Sequence, residues 1–461
     1  MKIKSYATLS LLLMLITGCS HRLKSEYHAP SVDYPASWKK SNFNGELAPF
    51  DWKAFNDPQL ENWLRQVMAS NSGVALAMLR LDRAKLDEEK AYISNDLLLS
   101  GDTGLGADKR LNGAIQWKHS DTASLNAVYK LHFWGNVAHQ RDIATWERKA
   151  TEDELRYSRL ILLSEASKNY WRIGLVNQQI NASQRKLDHI QEMLRFANTR
   201  FREGATSSQD VINVRNNILE QEKRIVALQH ERTILLNEHA VLKGTAPEKS
   251  AIEPAMLPEG NLPQINKNVP ASVLMHRPDI KAKEMKLREA LTNVDMSRAD
   301  FYPSFNLTSS IGSGSTALFN LLQNPLGSVS ANLTLPLLEW RKRRMDVKIS
   351  RNSYEQQLLE YKQELYKAMS SIQNELSKHS QLLNKETLIR QQLELARQSE
   401  RVSEVSYLQG AKPMSEWLNA QENRRDAELS LDQNRFNQLS NLADIYVAFG
   451  GSWTSPAILP D

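Results

Sequence analysis

The sequence predicts a mainly α-helical protein that carries a membrane β-barrel, with four barrel strands in each chain. Three observations support this fold class: very long proline-free stretches, two pairs of segments in which apolar and polar residues alternate, and an internal duplication. Four strands cannot close a barrel, and an open sheet edge in lipid leaves backbone groups without hydrogen bonds. The chain must therefore take strands from copies of itself. A homotrimer would supply twelve strands, continuous with a long α-helical coiled-coil barrel.

Composition narrows the class of protein. The chain has 461 residues, 41% of them apolar and 24% charged, which argues against disorder and allows two to three domains. The formal charge of +5 falls to about +3 without Lys2 and Lys4, and a nucleic-acid binder would concentrate more positive charge. No run of ~20 apolar residues is present, which argues against a helical membrane protein.

The first element is an export signal over residues 1–18. Its apolar run, 7–16, is too short to span a bilayer. The run leads to Cys19, the only cysteine, in a setting that resembles a bacterial lipobox, where the thiol receives a diacylglycerol. Ser20, rather than an aspartate, resembles the pattern of lipoproteins sorted to the outer membrane. The alternative is an ordinary secretion signal with an incidental cysteine.

Prolines divide the mature chain. None occurs between Glu61 and Thr245, whereas five fall between Pro247 and Pro270. Good helix formers fill the proline-free stretches. The predicted organisation is a lipidated tether over 19–58, a first repeat over 59–246, a linker over 247–270, a second repeat over 271–453 and a C-terminal tail over 454–461.

The long helices are expected to pair as coiled coils. A helix over residues 136–201 would be ~100 Å long, and such a helix needs lateral packing to persist. Apolar residues recur at steps of three and four, which is the spacing of a coiled-coil seam. The alternative is the core of a globular bundle. The seam positions are Leu187, Ile190, Leu194, Ala197 and Phe201; Val211, Val214, Ile218, Gln221, Ile225 and Leu228; and Leu358, Tyr361, Leu365, Ala368 and Ile372.

Four short segments have a period of two, which predicts strands with one apolar and one polar face. They lie at about 97–106, 123–133, 305–314 and 328–337. Each has about the length of a tilted membrane strand, ~10 residues, with its apolar face toward lipid. The alternative is a small soluble antiparallel sheet.

The two halves of the chain are copies. Residues 201–205 match 407–411, which aligns Gly204 with Gly410 at an offset of 206. At the same offset Gly244 aligns with Gly450. Further matched pairs are Leu187 and Leu393, Arg195 and Arg401, Asn213 and Asn419, Asn217 and Asn423, Glu222 and Glu428, and Leu236 and Leu442. Each half is predicted as helix, strand, loop, strand, very long helix, glycine turn and helix.

Four further motifs are distinctive: His276-Arg277-Pro278-Asp279-Ile280, Arg298-Ala299-Asp300-Phe301-Tyr302-Pro303-Ser304-Phe305, Phe133-Trp134-Gly135 and Phe449-Gly450-Gly451-Ser452-Trp453. In these motifs and in its layout, the chain resembles the TolC-type outer membrane factors, in their lipidated branch (the NodT family) that serves resistance-nodulation-division efflux systems. The chain departs from the family at Lys130 and His132, which replace paired aspartates, and at Glu339-Trp340-Arg341. The pore is therefore expected to be less acidic, which leaves its ion selectivity open.

The resemblance implies a passive exit duct, lipid-anchored in the cell outer membrane and extending through the periplasm. It would work in a tripartite pump for drugs or other small toxic compounds, with a periplasmic adaptor (membrane fusion) protein and an inner-membrane efflux pump as partners. A duct for metal-ion efflux or for a secretion system, and a non-pore periplasmic coiled-coil lipoprotein scaffold, are the alternatives.

The resemblance also assigns sites at the periplasmic tips of the hairpins. Asp210 and Glu416 follow the tip turns at equivalent repeat positions and are expected to form rings of charge at a periplasmic gate. The alternative is that they are solvated carboxylates favoured by the helix dipole. The predicted adaptor-docking residues are Arg202, Gly204, Ala205, Gly410 and Ala411.

No catalytic chemistry is recognisable in the sequence. Nucleotide-binding, hydrolase and metalloprotease motifs are missing, and the ten histidines lack metal-ligand spacing. We therefore expect no enzyme activity, no cofactor, no metal site and no nucleic-acid partner. The basic run Arg341-Lys342-Arg343-Arg344 is expected at the membrane interface, beside anionic lipid head groups.

Overall fold

The structure is a computed structural model that describes residues 24–32, 47–49, 52–93, 97–109, 117–131, 134–247, 253–263, 265, 272–315, 325–335 and 339–454. The strands in these ranges are β1 (Leu47–Pro49), β2 (Leu98–Lys109), β3 (Trp117–Leu131), β4 (Ser304–Ser315), β5 (Leu326–Thr334) and β6 (Ser452–Thr454). The α-helices are α1 (Pro58–Ser70), α2 (Ser72–Ile93), α3 (Asn136–Arg202), α4 (Ser208–Lys243), α5 (Ser272–His276), α6 (Pro278–Ala299), α7 (Trp340–Leu408) and α8 (Met414–Ala448). A 3-10 helix covers Trp52–Phe55. None of the described helices combines the length and the apolar character needed to cross a membrane.

The chain forms two compact units. The first consists of the described parts of Met1–Val32, Leu79–Asp153 and Lys281–Gln363, and it contains the four-stranded sheet. The second consists of the described parts of Asp33–Met78, Glu154–Ile280 and Glu364–Asp461, and it contains the hairpin turns.

The sheet of the first unit is antiparallel, in the order β2-β3-β4-β5. Leu125 pairs with Ile311, and Ile311 pairs with Gly327 on the next strand. Because directly paired residues lie on the same face of a sheet, this register places Leu125 beside Ile311, and Phe305 beside Leu333, on one face. Asn126 pairs with Ser310 on the opposite face. The two-faced sheet predicted from the alternation is therefore present.

The strand limits differ from the predicted ones. β3 begins at Trp117 rather than near residue 123, because it stays paired with β2 out to Lys109. That extension holds polar residues such as His119 and Asp121, which carry no apolar signal. β5 ends at Thr334 rather than 337. Pro336 follows in the sequence and has no N–H to donate to a strand.

The long helices and their seams match the predicted pattern. α3 and α7 contain 67 and 69 residues. Most seam positions are buried, and the polar Gln221 is 2% exposed. The buried amide of Gln221 has hydrogen-bond partners: it donates to the Ser183 carbonyl and accepts from Arg425. Leu194, Ile218 and Leu358 are half-buried, and Phe201 is exposed, at 46%, where α3 reaches its end.

Hydrogen bonds repeat at the offset of the duplication. Asn71 donates from Nδ2 to the carbonyl of Leu242 at 2.8 Å. At the equivalent place Arg277 donates from Nη1 to the carbonyl of Ala448, also at 2.8 Å. In each repeat, therefore, a side chain near the end of one helix satisfies a carbonyl in the last turn of the repeat's final long helix, where internal partners are missing.

Residues 253–263, the main described part of the linker, pack against α3 of the first repeat. A Cβ on Gly174 of α3 would lie 2.9 Å from the Met256 carbonyl, so the absence of a side chain lets the linker cross the helix. Asn177 holds the same stretch by donating to the Pro254 carbonyl at 2.9 Å. Upstream, β1 pairs with β6, and the Trp52 ring meets the Tyr446 ring edge-on. The sequence pattern did not predict this small sheet.

Candidate functional site at the hairpin tips

The first tip turns at Gly204, whose φ of 72° lies in the left-handed region. The N–H of Ala205 donates to the Arg200 carbonyl at 2.8 Å, and the N–H of Gly204 donates to the Phe201 carbonyl at 3.1 Å. This pattern closes the end of α3 and favours a residue without a Cβ at the left-handed position. Ser207 then caps α4 by accepting from the Asp210 N–H at 3.3 Å.

The second tip repeats the turn but not the cap. Gly410 has a φ of 75°, and the N–H of Ala411 donates to the Ser406 carbonyl at 2.9 Å. Pro413 stands where Ser207 stands in the first tip, and it provides no side-chain hydrogen bond to α8. The predicted docking residues Arg202, Gly204, Ala205, Gly410 and Ala411 are all exposed.

A shared apolar cluster joins the two hairpins just behind the turns. Tyr407 and Trp417 stack with ring centroids 5.6 Å apart. The guanidinium carbon of Arg200, from the other hairpin, lies 5.3 Å from the centre of the Tyr407 ring. The two predicted tips thus lie on one body within the second unit. The buried members of the cluster are Ile190, Met193, Ala197, Val211, Val214, Tyr407, Met414, Trp417 and Leu418.

The two predicted gate carboxylates have local partners. The Thr206 hydroxyl donates to Asp210 at 2.5 Å, while Glu416 pairs with Lys412 at 2.6 Å. Burial raises the pKa of the Tyr407 hydroxyl, and the nearby Asp210 carboxylate raises it further while Arg200 opposes the rise. Asp210 therefore belongs to the electrostatic surroundings of the second tip as well as to its own helix start.

Arg200 and Tyr407 were not among the predicted site residues. The repeat aligns Tyr407 with Phe201, yet Tyr407 is 4% exposed and Phe201 is 46% exposed. The departure from the copy marks Tyr407 as the residue that links the two tips. The replacement of the seam residue Phe201 by a tyrosine in the second repeat was the signal in the sequence that could have identified Tyr407.

The sequence motifs near the strands come together in the first unit. Trp134 donates from its indole to the Pro303 carbonyl at 2.7 Å, and its ring stacks on Tyr302 with centroids 4.6 Å apart. Asn136 donates to Asp300 at 2.8 Å. The segments before β4 and after β3 therefore lock onto each other where strands become helices.

The N-terminal segment also docks in the first unit. The N–H and the hydroxyl of Ser25 both donate to the Asp295 carboxylate, each at 2.6 Å, and that carboxylate side chain is 3% exposed. The Arg288 guanidinium lies 4.0 Å from the centre of the Tyr27 ring. Cys19 itself lies outside the described residues.

Comparison with known proteins assigns this architecture. The family described as outer membrane efflux protein matches residues 64–240 and 269–451, which is most of both repeats. The chain belongs to this family. It is therefore an efflux channel protein of the outer membrane, as the resemblance in the sequence implied. The family comprises efflux channels rather than enzymes.

Relatives match over nearly their whole length. "Toxin and drug export protein A" of Aggregatibacter actinomycetemcomitans is 25% identical over 95% of this chain and 96% of its own. "Pyoverdine export outer membrane protein OpmQ" of Pseudomonas aeruginosa is 26% identical over 88% and 87%. "Cation efflux system protein CusC" of Escherichia coli is 22% identical over 95% and 97%.

Solved structures share the fold. The outer-membrane channel OprN superposes with a TM-score of 0.82 at 18% identity, covering 94% of this chain and 99% of its own. CusC superposes with the same TM-score at 20% identity, covering 93% and 99%. The predicted fold class is confirmed: the chain is mainly helical and carries a four-stranded antiparallel sheet.

Proposed function

We propose that three copies of this chain form one exit duct, gated at its periplasmic end and opened by a periplasmic adaptor protein and an inner-membrane pump. The observation that carries the proposal is the sheet, which has one apolar face and whose edges are β2 and β5. In lipid these edges need partners, and pairing β2 of one copy with β5 of the next would close a twelve-stranded barrel.

Cross-linking tests the strand pairing. Cysteines are placed on the polar face, with Ser100→Cys on β2 combined in turn with Ser328→Cys or Ser330→Cys on β5. Oxidation is expected to produce a covalent trimer for the combination that matches the register between copies. Each single-cysteine variant is the control and should stay monomeric on a denaturing gel. Absence of covalent trimers in every combination would contradict closure by these edges.

We propose that Cys19 carries the lipid anchor. Its support is the lipobox-like sequence together with the docking of Ser25, six residues later, onto the buried Asp295 carboxylate. This docking would hold the chain just after the anchor against the strand-bearing unit. Palmitate labelling of the full-length protein should be lost in Cys19→Ala. Label that persists in this variant would overturn the assignment.

We propose that the adaptor docks on the tip residues Arg202, Gly204, Ala205, Gly410 and Ala411. A Cβ at Gly204 or at Gly410 would meet no atom of the described residues within 4 Å, so these turns offer open surface. Ala205→Trp adds bulk there without disturbing the left-handed residue. It should leave the protein in the outer membrane but abolish efflux. The control is Gly260→Trp, which also enters open space but lies in the linker. Normal efflux by Ala205→Trp would refute docking at the tips.

We propose that Asp210 and Glu416 contribute to the gate. Three-fold symmetry would place each carboxylate in a ring, and like charges in a narrow ring attract cations. Asp210→Asn and Glu416→Gln remove the charge while keeping the size, and each is expected to lower the preference of single channels for cations. Unchanged conductance and selectivity in both variants would refute a role in the gate. The two carboxylates would then serve only to bind Thr206 and Lys412.

The cargo we propose is drugs or other small toxic compounds, with the choice among them made by the pump. The relatives' names range from toxin, drug and pyoverdine export to cation efflux. Deletion of the gene should raise sensitivity to a set of unrelated drugs, and the intact gene should restore resistance. Sensitivity confined to metal ions would favour cation efflux.

A further inference from the structure

The start of α7 presents an unusual run of positive charge. Arg341, Lys342 and Arg344 are exposed, and none of the three has a carboxylate partner among the described residues. We call these three residues the basic turn. The fourth cation of the run, Arg343, differs because it pairs with Glu339 at 3.4 Å. The positive charge of the basic turn is therefore not neutralised by the described part of the chain.

Local electrostatics disfavour this arrangement. The N-terminal end of a helix carries partial positive charge, so acidic residues stabilise it and basic residues destabilise it. α4, α6 and α8 follow this rule, with Asp210, Asp279 and Glu416 in their first turns. α7 has no acidic residue in its first turn. An anionic partner from outside the chain would offset this repulsion.

The basic turn lies at a defined end of the sheet. Ser304 at the start of β4 pairs with Thr334 at the end of β5, and α7 begins six residues beyond Thr334. Aromatic side chains gather at this end. Trp340 is 51% exposed, and Tyr302, which stacks on Trp134, is 39% exposed. Tryptophan and tyrosine are the residues enriched where membrane proteins pass the head groups.

Its neighbours on β5 are apolar and exposed. Val329 and Leu333 lie on the apolar face of the sheet and are 76% and 51% exposed in the single chain. The basic turn thus continues a lipid-facing strand at the end where the helices join the sheet. In an outer membrane channel this is the periplasmic end, beside the leaflet that is built of phospholipids.

We propose that the basic turn binds the head groups of anionic phospholipids in the periplasmic leaflet. The forked guanidinium groups of Arg341 and Arg344 suit the paired oxygens of a phosphodiester, and Lys342 adds a point charge. Trp340 packs against Arg341, whose guanidinium carbon lies 5.6 Å from the ring centre, and it would sit at head-group depth. The inference rests on the membrane placement of the sheet in the proposed duct.

Native mass spectrometry of the full-length protein tests the proposal. The protein in detergent receives equal amounts of phosphatidylglycerol and phosphatidylcholine with identical acyl chains, and the ratio of the two bound lipids is measured. Each cation near an anionic lipid surface is worth roughly fivefold in affinity. Three cations at fivefold each amount to about a hundredfold, so the variant R341Q/K342Q/R344Q should lose well over fivefold of the preference for phosphatidylglycerol. The control K385Q/R390Q/R401Q removes three exposed cations further along α7 and should keep the ratio.

Two results would overturn the proposal. One is an unchanged lipid ratio in the R341Q/K342Q/R344Q variant. The other is displacement of phosphatidylglycerol by soluble glycerol phosphate, which would mark a site for free phosphate instead. Should the triple variant fail to assemble, the single variant Arg344→Gln is expected to lower the ratio by roughly fivefold. Bilayer conductance of the wild type distinguishes failure of the proposed duct from failure of the proposed lipid site. Absence of conductance would contradict the duct, while the ratio of bound lipids would still test the basic turn.

Discussion

Acidification should loosen α1 through His239. This histidine of α4 is 0% exposed, and its ring stacks on Trp63 of α1 with centroids 3.3 Å apart. Its Nδ1 lies 2.8 Å from Oδ1 of Asn169, whose own amide donates to the Leu235 carbonyl. Nδ1 is therefore the protonated nitrogen, and Nε2 is buried without a hydrogen-bond partner among the residues that the structure describes. A second proton on Nε2 would be a buried charge with no acceptor.

The structure gives the size and the sign of the effect. Burial, with a contribution from Lys243, lowers the pKa of His239 from 6.5 to about 4. When α1 is detached, His239 takes up a proton near pH 6.5, whereas it does so only near pH 4 when α1 is packed against it. The free energy of opening, that is, of detaching α1, is therefore at its full value above pH 6.5. It then declines as the pH falls toward 4. By pH 4.5 the loss is ~2–3 kcal/mol per chain.

Hydrogen exchange over α1, read by mass spectrometry and corrected for the intrinsic pH dependence, measures the free energy of opening. We expect it to fall by ~2–3 kcal/mol between pH 7.5 and pH 4.5. His239→Phe keeps a planar ring against Trp63 but cannot titrate, so its opening energy should be nearly constant. The same pH dependence in both proteins would refute the reasoning, as would a constant value in the wild type.

Two further predictions concern stability in urea or thermal unfolding. Gly204 and Gly244 have nearly equal φ values of 72° and 73°, so alanine adds similar backbone strain, ~1 kcal/mol, at each. A Cβ at Gly244 would also lie 2.5 Å from the Ser70 carbonyl. Gly244→Ala should therefore destabilise the protein clearly more than Gly204→Ala, and equal losses would contradict this contact. Arg277→Ala should lower the free energy of unfolding by ~3–5 kcal/mol. The reason is that the buried Asp279 carboxylate, which Arg277 binds at 2.6 Å, would lose its cationic partner. Adding Asp279→Asn should recover part of that loss, and no recovery would argue against the ion pair as its cause.

The helices and the sheet were predictable because each has its own period. Steps of three and four along α3, α4 and α7 mark buried seams, and alternation along β3 and β4 marks a two-faced sheet. What escaped prediction depends on partners that are distant in sequence. β1 is three residues long and exists through its pairing with β6, which no local period announces.

Part of the candidate site, the glycine turns, was also predictable, whereas the contacts between the hairpins were not. Gly204 and Gly410 were identified as turns from the repeat, and both adopt left-handed backbone. Arg200 and Tyr407 were missed because their contact crosses from one hairpin to the other. Asp210 illustrates the limit of a repeat-based argument. Its equivalence to Glu416 suggested a common role, whereas the two carboxylates bind a threonine hydroxyl and a lysine respectively.

The central claim is that copies of this chain share one barrel that forms a channel. Its most direct test is to extract the full-length protein from outer membranes in mild detergent, and to measure native mass and bilayer conductance on the same preparation. The account predicts a trimer that opens ion-conducting channels. A monomer without conductance would contradict it, because the edges of β2 and β5 would then remain unpaired in lipid.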